Sequence, residues 1–372
     1  MIKYPNYDES ILSIVSSILK YYGYDNGHKG CKILDEKLKN RYNNIVLMIF
    51  DGMGVATLKT FLKEKDFLMQ HFEGPISSVC PSTTGCAIPT FESGKAPIEH
   101  GWLGWDMYFK EYDANISVFT NKYQDSNEDV ADCNAANKYM KYKNIFDIIS
   151  ETTNGVVKTH DISKYSDTNE FVYSCEEMLQ RVNKIAKNDV EDFIYTYLEE
   201  PDSVMHALGV DHEYVKENIR YINSLVCELS EKLKDSLIIV TADHGLVNTK
   251  TLYLEDYPKI QDMLIRRPSI ETRAVNFFVK EEYLNVFPKE FNKIFGKDFI
   301  LMSKEEILEK KMFGEGVKNP RIDDSIGQYM AFGISDKAIE WEKGGFDMQA
   351  RHAGLTQEEM EVPLIVIDTN NL

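Results

Sequence analysis

No stretch of the 372-residue sequence is apolar over the roughly 20 residues that a membrane-spanning helix needs. The first residues, Met1–Asn6, also lack the apolar core of a signal peptide. Cysteine is scarce as well: the six cysteines are scattered, and none forms a CxxC pair. We therefore expect reduced thiols in a cytoplasmic protein, with neither a membrane span nor a disulfide framework.

Basic residues are outnumbered in this sequence. The 42 lysines and arginines stand against 60 aspartates and glutamates, which gives a formal net charge of −18. This balance argues against a nucleic-acid polymer or an anionic membrane as the main partner. It does not exclude a small phosphoester, because bound cations can reverse the local field. The sequence leaves the oligomeric state open.

A third glycine is missing from residues 52–57 (GMGVAT), which otherwise suggest the phosphate-binding turn of dinucleotide-binding proteins. Asp51, directly before this turn, would also face the pyrophosphate of such a ligand. Dinucleotide binding is therefore the weaker interpretation of this segment.

Apolar runs of strand length recur along the sequence and alternate with helical patterns. Such runs are typical of strands that are buried on both faces of a parallel sheet. The runs are residues 45–50, 192–198, 237–242 and 362–367. Apolar positions recur at helical spacing over residues 9–22 and 212–234. The predicted fold class is α/β, with a mainly parallel central sheet and helices on both of its faces.

Aspartates follow three of these runs where the strands end: Asp51, Asp202 and Asp243. His206 lies about one helical turn after Asp202, and His244 directly follows Asp243. An Asp/His pair at such spacing is, on its own, more often a solvated surface contact. Here a parallel sheet would bring all three strand ends to one edge, where the carboxylates repel one another unless cations are bound. We therefore predict a site for two divalent ions.

Two further residues complete this set. Thr84 stands where a strand-like run over residues 75–79 gives way to a helical pattern from residue 85. A hydroxyl there lies beside free backbone N–H groups and the positive end of the helix dipole, which suits a phosphate oxygen. An ordinary N-cap is the alternative explanation for Thr84 taken alone. His352, just before the last strand, would complete a second tetrahedral metal site.

Six segments resemble the metal-dependent alkaline phosphatase superfamily, and most closely its nucleotide pyrophosphatase/phosphodiesterase branch. Each segment is a weak signal alone, but all six occur in the order seen in the family. The segments are FDGMG at 50–54, PSTT at 81–84, SGKAPIEHG at 93–101, EPDSVMHALG at 200–209, TADHG at 241–245 and HAG at 352–354.

The resemblance implies roles for the seven predicted residues. They would divide into two ligand sets: Asp51, Thr84, Asp243 and His244 for one ion, and Asp202, His206 and His352 for the other. Thr84 would also be the nucleophile, because it lies ten residues before Gly94 as in the family. The mix of carboxylates and imidazoles fits two Zn²⁺ ions best, with Mn²⁺ as the alternative.

The implied activity is hydrolysis of phosphodiester or pyrophosphate bonds in a small-molecule substrate, through a phospho-threonine intermediate. A phosphomonoesterase or phosphonate hydrolase of the same superfamily is the near alternative. A non-catalytic metal- or nucleotide-binding protein is the alternative of another class. No lysine or arginine follows Thr84 before Lys95, whereas monoesterases tend to place a cation beside the nucleophile. The sequence therefore favours diesters over monoesters.

Residues 251–345 separate the last two metal-ligand motifs and are too long for a simple loop. They contain strand-like patterns at 273–279 and 328–333 and helical patterns at 283–295 and 304–311. We predict a small α+β insert over 251–345, which covers the metal site and selects the substrate. Residues 1–250 together with 346–372 would form the catalytic core. The aromatic residues that follow the nucleophile, Trp102, Trp105, Tyr108 and Phe109, would be core, a cover, or a surface for a base or aryl group.

Overall fold

The structure is a computed structural model that describes residues 1–130, 133–163, 174–188 and 190–372. Strands are numbered in chain order. They are β1 (Asn44–Phe50), β2 (Phe72–Ser77), β3 (Asp106–Phe109), β4 (Ala114–Ser117), β5 (Lys122–Tyr123), β6 (Lys158–Ile162), β7 (Asp192–Leu198), β8 (Ser236–Thr241), β9 (Val247–Asn248), β10 (Lys250–Tyr253), β11 (Ser269–Ile270), β12 (Ala274–Phe277), β13 (Phe299–Ser303), β14 (Tyr329–Gly333), β15 (Lys337–Glu340), β16 (Ala350–Arg351) and β17 (Glu361–Asp368).

Helices are numbered in the same way. They are α1 (Ile11–Tyr21), α2 (Lys32–Lys37), α3 (Val55–Phe61), α4 (Phe67–Gln70), α5 (Thr84–Ser93), α6 (Pro97–His100), α7 (Ala135–Tyr139), α8 (Ile145–Thr152), α9 (Cys175–Ile185), α10 (Asp202–Leu208), α11 (Glu213–Lys232), α12 (Pro258–Gln261), α13 (Phe287–Phe295), α14 (Lys304–Glu309), α15 (Arg321–Ser325) and α16 (Gln357–Met360). None of the described helices is long and apolar enough to cross a membrane.

The central sheet has six strands in the order β2–β17–β8–β1–β7–β6. β1 pairs in parallel with β7 and β8, and β6 pairs in parallel with β7. β17 is antiparallel to both β8 and β2, so one side of the sheet is antiparallel. The predicted α/β class is confirmed. Four neighbouring strands, β8, β1, β7 and β6, are parallel, and the predicted aspartates follow the first three of them.

Helices cover both faces of this sheet. Every residue of β1, β7 and β8 is buried, which requires apolar cover on each face. One group of helices packs around α11, which contacts α3, α4 and α9. The other packs around α1, which contacts α2, α5 and α8. The short helix α2 lies in a largely polar segment, and Leu34 is its one buried residue.

A second sheet has seven strands in the order β13–β14–β12–β11–β3–β4–β5. Its pairings are antiparallel, and alternate residues along β14 reach two different apolar clusters: Met330 and Phe332 enter one, and Ala331 the other. The strands predicted at 273–279 and 328–333 are β12 and β14, and the two predicted helices are α13 and α14.

Strands β3, β4 and β5 join this second sheet from residues 106–123, which the predicted boundaries placed in the core. The link is a single pairing of Ile270 with Asp106. Residues 251–345 therefore do not form the second sheet alone, and the division into a core and an insert stays a prediction.

Candidate metal centre

The carboxyl ends of β1, β7 and β8 bring the three predicted aspartates together. Asp51 directly follows β1, Asp202 begins α10 after β7, and Asp243 follows β8. Backbone contacts lock these ends to one another: Asp202 N donates to the Asp51 carbonyl at 3.0 Å, and Gly52 N donates to Asp243 Oδ1 at 3.1 Å. Gly52 has a positive φ of 72°, and a Cβ there would lie 3.0 Å from Asp202 Cβ, so the turn after β1 requires glycine.

Thr84 is the first residue of α5, and Thr83 occupies the N-cap position without forming a side-chain cap. The hydroxyl of Thr84 points instead into the cluster: Oγ1 lies 3.1 Å from His244 Nε2 and 3.4 Å from Asp51 Oδ2. The N-cap explanation of Thr84 is therefore wrong, because its side chain contacts the predicted ligands rather than the helix backbone.

His244 stands between two groups of ligand atoms. Single atoms of Asp51, Asp243 and His244 lie within 4.8 Å of one another, and so do single atoms of Asp202, His244 and His352. His244 Nε2 is 3.4 Å from Asp51 Oδ1 and 3.3 Å from Asp243 Oδ2. Its ring also stacks on His352 at 3.9 Å between centroids. The structure thus brings these five residues into one cluster, of which four are buried and His352 is half-buried.

His206 adjoins this cluster on its Asp202 side. Its Nε2 lies 3.1 Å from Asp202 Oδ2, and its ring centroid is 5.2 Å from that of His352. Nδ1 of His206 contacts the Ala350 carbonyl at 2.7 Å, so donation by Nδ1–H leaves Nε2 as the lone-pair nitrogen facing Asp202. All seven predicted residues therefore meet at one edge of the central sheet.

Several polar atoms of this cluster are buried without a hydrogen-bond partner among the described residues. They are Asp51 Oδ1, Asp202 Oδ1, Asp243 Oδ2 and His352 Nδ1. A buried carboxylate oxygen without a partner is costly, and bound cations would satisfy these oxygens. The donor set therefore fits divalent cations, which prefer carboxylate and imidazole ligands of this kind.

The pKa shifts of the cluster residues without bound ions also indicate a site for divalent cations. Burial, and then the neighbouring carboxylates of Asp243 and Asp202, raise the pKa of Asp51 well above its usual value. Burial, followed by the nearby His244 and His206, lowers the pKa of His352 well below its usual value. Burial also lowers the pKa of His206, but the Asp202 carboxylate and further acceptors raise it by more. The cluster thus disfavours additional negative charge until positive ions are bound.

Tyr197 is a site residue that sequence reasoning missed. It lies in β7, lines the cavity, and donates its phenolic O–H to Asp51 Oδ2. This hydrogen bond orients the Asp51 carboxylate. Tyr197 stands inside an apolar run, and nothing in the sequence distinguishes its hydroxyl from a core side chain.

A cavity of about 760 Å³ opens over the metal centre, and the second sheet supplies much of its wall. Trp105 lines it and is 41% exposed, and Phe119, Trp341 and Phe346 contribute further rings. Trp102 and Phe109, by contrast, are buried core residues. Of Trp102, Trp105, Tyr108 and Phe109, Trp105 is the one that lines this cavity.

Glu271, directly after β11, is a second cavity residue that the sequence did not reveal. Its Oε1 accepts hydrogen bonds from Thr83 Oγ1 at 2.7 Å and from Trp105 N at 3.0 Å. Burial raises the pKa of Glu271 to about 7, although these two hydrogen bonds act in the opposite direction. The carboxyl group of Glu271 therefore lies beside Thr83 and the start of α5.

Comparison with solved structures shows which fold this is. Murine ectonucleotide pyrophosphatase/phosphodiesterase 5, as an inactive threonine-to-alanine variant in complex with AMP, has a TM-score of 0.65 at 16% identity, over 89% of this chain and 88% of that chain. Human ectonucleotide pyrophosphatase/phosphodiesterase 5 has a TM-score of 0.65 at 15% identity, over 87% of each chain. Phosphonoacetate hydrolase from Sinorhizobium meliloti 1021, in complex with phosphonoformate, has a TM-score of 0.63 at 14% identity, over 88% of this chain and 90% of that chain.

At these identities the solved structures establish a shared fold, and the sequence establishes the family. No curated protein of similar sequence was found. The sequence model of type I phosphodiesterases/nucleotide pyrophosphatases matches residues 45–327, which is more than half of the chain. The predicted resemblance is thereby confirmed: the chain belongs to the type I phosphodiesterase/nucleotide pyrophosphatase family, and it is a hydrolase of that type.

Proposed function

We propose that the protein hydrolyses phosphodiester or pyrophosphate bonds in small molecules, with Thr84 as the nucleophile and two divalent ions as cofactors. The observation that carries the proposal is the position of Thr84 Oγ1, which lies 3.1 Å from His244 Nε2 at the edge of a buried ligand set with unsatisfied atoms. The neighbouring hydroxyls are engaged elsewhere. Thr83 donates to Glu271, and Ser82 Oγ donates to the Gly354 carbonyl.

The seven residues would hold the ions in two sets: Asp51, Thr84, Asp243 and His244 for one ion, and Asp202, His206 and His352 for the other. Bound there, the ions would supply the positive charge that lowers the pKa of a hydroxyl and stabilises charge on phosphoryl oxygens. Three aspartates and three histidines favour Zn²⁺, and Mn²⁺ is the alternative because carboxylates are hard ligands.

The chain's own groups account for positioning and for the covalent step. The N-terminus of α5 presents backbone N–H groups next to Thr84, and these stabilise an anionic phosphoryl group. Thr84 Oγ1 forms a bond to phosphorus while the bond to the leaving oxygen breaks, and the hydroxyl proton passes to the leaving oxygen or to solvent. Water then cleaves the phospho-threonine, which restores the hydroxyl and releases the second product.

The cavity charges favour a diester over a monoester. Three basic residues line the described part of the cavity, and each already pairs with an acid: Arg267 with Glu342, Arg351 with Glu340, and Lys343 with Asp256. No described lysine or arginine therefore stands ready beside Thr84 for the extra charge of a monoester dianion. The same argument disfavours a phosphonate substrate that carries additional carboxylate charge.

A cytoplasmic location is part of the proposal. All six cysteines are free thiols, and Cys31, Cys80, Cys86 and Cys175 are buried among apolar residues. This supports a reducing compartment, where thiols persist. Cell fractionation with an antibody to the native protein tests it, and recovery only in the medium or periplasm would refute it.

A turnover assay tests the proposed function. The protein is stripped with a chelator and assayed on bis(nitrophenyl) phosphate before and after reloading with Zn²⁺ or Mn²⁺. We expect no turnover without metal and restored turnover with at least one of the two ions. A non-catalytic binding protein would take up the metal and show no turnover, which would overturn the proposal.

A further inference from the structure

Thr83 is an N-cap residue whose side chain does not cap its helix. Its backbone is extended, as is usual before a helix, and its carbonyl accepts from Cys86 N at 2.9 Å and from Ala87 N at 2.8 Å. A threonine in this position ordinarily accepts with its hydroxyl from the second or third N–H of the helix. Here Thr83 Oγ1 donates to Glu271 Oε1 at 2.7 Å instead. Helix α5 therefore lacks the stabilising cap contact that Thr83 could form.

The missing cap contact leaves two N–H groups of α5 open. No described residue accepts a hydrogen bond from Thr84 N or Gly85 N. Both donors lie at the positive end of the helix dipole, where a phosphoryl oxygen attacked by Thr84 would meet them. Cys86 N is already bonded, so a Thr83 hydroxyl that turned back to the helix would accept from Gly85 N. It would then occupy the place of that phosphoryl oxygen.

A turn of unusual backbone geometry aims Glu271 at Thr83. Ile270, the residue before Glu271, has a positive φ of 77°. This conformation is strained for a β-branched side chain, and it persists only where the surroundings impose it. Ile270 is buried, and it pairs with Val275 of β12 and with Asp106 of β3. The second sheet thus maintains a strained residue at the point from which the Glu271 side chain extends.

Glu271 also fixes the chain that packs on the start of α5. Its Oε1 accepts from Trp105 N at 3.0 Å in addition to Thr83 Oγ1. The residue before Trp105 lies directly on the helix: a Cβ at Gly85 would lie 2.6 Å from the Gly104 carbonyl carbon, so this approach requires glycine. One carboxyl oxygen therefore joins the second sheet, the segment before β3 and the first turn of α5.

We propose that Glu271 is a positioning residue, which holds the Thr83 hydroxyl away from the helix and so keeps the first N–H groups of α5 free for a phosphoryl oxygen. The inference rests on the proposed function, in which Thr84 is the nucleophile. Glu271 acts through Thr83, because its hydrogen bonds go to Thr83 and Trp105 rather than to the predicted metal ligands. Loss of the Glu271 carboxyl group should release the hydroxyl, which then competes with the substrate for Gly85 N.

Four variants, assayed with metal on bis(nitrophenyl) phosphate, test the proposal. Glu271→Ala removes the acceptor, and kcat/KM should fall by at least about tenfold, as when a donor to a phosphoryl oxygen is blocked. Glu271→Gln loses the same charge but keeps an oxygen that can accept from Thr83, so it should be clearly faster than Glu271→Ala. Thr83→Val has the shape of threonine without the hydroxyl. Adding Thr83→Val to Glu271→Ala should raise kcat/KM to that of Thr83→Val alone.

This rescue separates the proposed role from a purely structural one. If Glu271 only stabilised the fold, the double variant would be at least as slow as Glu271→Ala, and that result would overturn the inference. Wild-type kcat/KM in Glu271→Ala would overturn it as well, and so would a Thr83→Val variant as slow as Glu271→Ala. All three results leave the proposed function standing. If the wild-type protein shows no turnover under any metal loading, the proposed function fails and the inference fails with it.

Binding of inorganic phosphate gives a readout that does not depend on turnover. Calorimetry measures the Kd of phosphate for metal-loaded Thr84→Ala protein, with and without the further changes. We expect Glu271→Ala to raise this Kd by about tenfold, and Thr83→Val to reverse the rise. An equal Kd with and without Glu271→Ala would contradict the inference.

Thr83→Asn carries the test if circular dichroism shows that Glu271→Ala does not fold. Asparagine is a stronger N-cap than threonine, whereas valine has no oxygen to cap the helix. With Glu271 in place, Thr83→Asn should therefore have a lower kcat/KM than Thr83→Val. Equal values in these two variants would overturn the inference.

Discussion

Arg273 and Glu359 form a fully buried, bidentate ion pair that joins the second sheet to the metal centre. Arg273 Nε and Nη2 each donate to a carboxylate oxygen at 2.7 Å. The same carboxylate accepts from Gly354 N at 2.8 Å and from Thr356 Oγ1 at 2.7 Å. Glu359 thereby holds the segment that carries His352, and Arg273 ties this segment to the strand β12.

Breaking this pair should destabilise the protein strongly. Glu359→Gln leaves the buried Arg273 guanidinium without its counter-ion, which costs about 3–5 kcal/mol in comparable cases. Urea unfolding of the metal-free protein measures the change. Glu361→Gln is the matched control: it breaks the more exposed pair with Lys3, which should cost less than about 1 kcal/mol. Equal losses in the two variants would mean that the buried pair has no special role.

Replacing Thr84 with alanine should abolish nearly all turnover while most metal binding survives, because Asp51, Asp243 and His244 remain. Stopped assays on a diester, together with elemental analysis of the same sample, make the measurement. Thr83→Ala removes a hydroxyl that contacts Glu271 instead of the ligands, so it should retain far more activity. An inactive Thr83→Ala variant beside an active Thr84→Ala variant would show that Thr84 is not the nucleophile.

The metal-loaded protein should contain two divalent ions per chain. Asp202→Asn or His352→Ala should lower the content to about one ion, since each removes a ligand of the second set only. Circular dichroism serves as the control for folding. At most one ion per chain in a fully active preparation would refute the two-ion assignment.

Stability should fall with acid because of His100. This residue is buried, and its ring contacts Thr90 Oγ1 at 3.0 Å and accepts from Trp102 N at 3.1 Å. Burial, with Lys95 as a smaller cause, lowers the pKa of His100 to about 3, below the usual 6.5. The unfolded chain therefore binds a proton first as pH falls. The stability that neutral His100 contributes is complete above pH 6.5. As the pH falls from 6.5 to 3, the free energy of unfolding decreases by up to about 1.4 kcal/mol per pH unit.

Urea titrations at several pH values measure this slope. His100→Asn should be less stable at neutral pH and should lose less stability between pH 6.5 and 3. An unchanged slope in the variant would show that other groups cause the acid sensitivity.

Local patterns in the sequence were sufficient for the parallel strands of the central sheet and for the meeting of the seven predicted residues at one edge of it. The run that became β7 has the predicted bounds, and the aspartates follow strands whose apolar composition is distinctive. Contacts between distant residues were beyond such patterns. The pairing of Ile270 with Asp106 and the ion pair of Arg273 with Glu359 depend on how two sheets meet, which local periodicity does not encode.

The position of His244 between both ligand groups shows the same limit at the site. Because His244 follows a strand, the sequence predicted that it would lie at the edge of the central sheet with the aspartates. Its stacking on His352, at 3.9 Å between ring centroids, depends instead on how the last segment of the chain packs. Glu271 and Tyr197 were missed for a related reason. Tyr197 lies in the apolar run of β7 and Glu271 lies in a polar stretch after β11, and only the assembled fold places both in the cavity.

The central claim is that this centre is built for phosphodiesters, and a paired kinetic comparison tests it most directly. The kcat/KM values of bis(nitrophenyl) phosphate and nitrophenyl phosphate are measured at one pH and one metal loading. We predict that the diester is favoured by at least about tenfold, or roughly 1.4 kcal/mol of transition-state preference. A clear preference for the monoester would contradict the account, because it would require a cation beside Thr84 that the described residues do not provide.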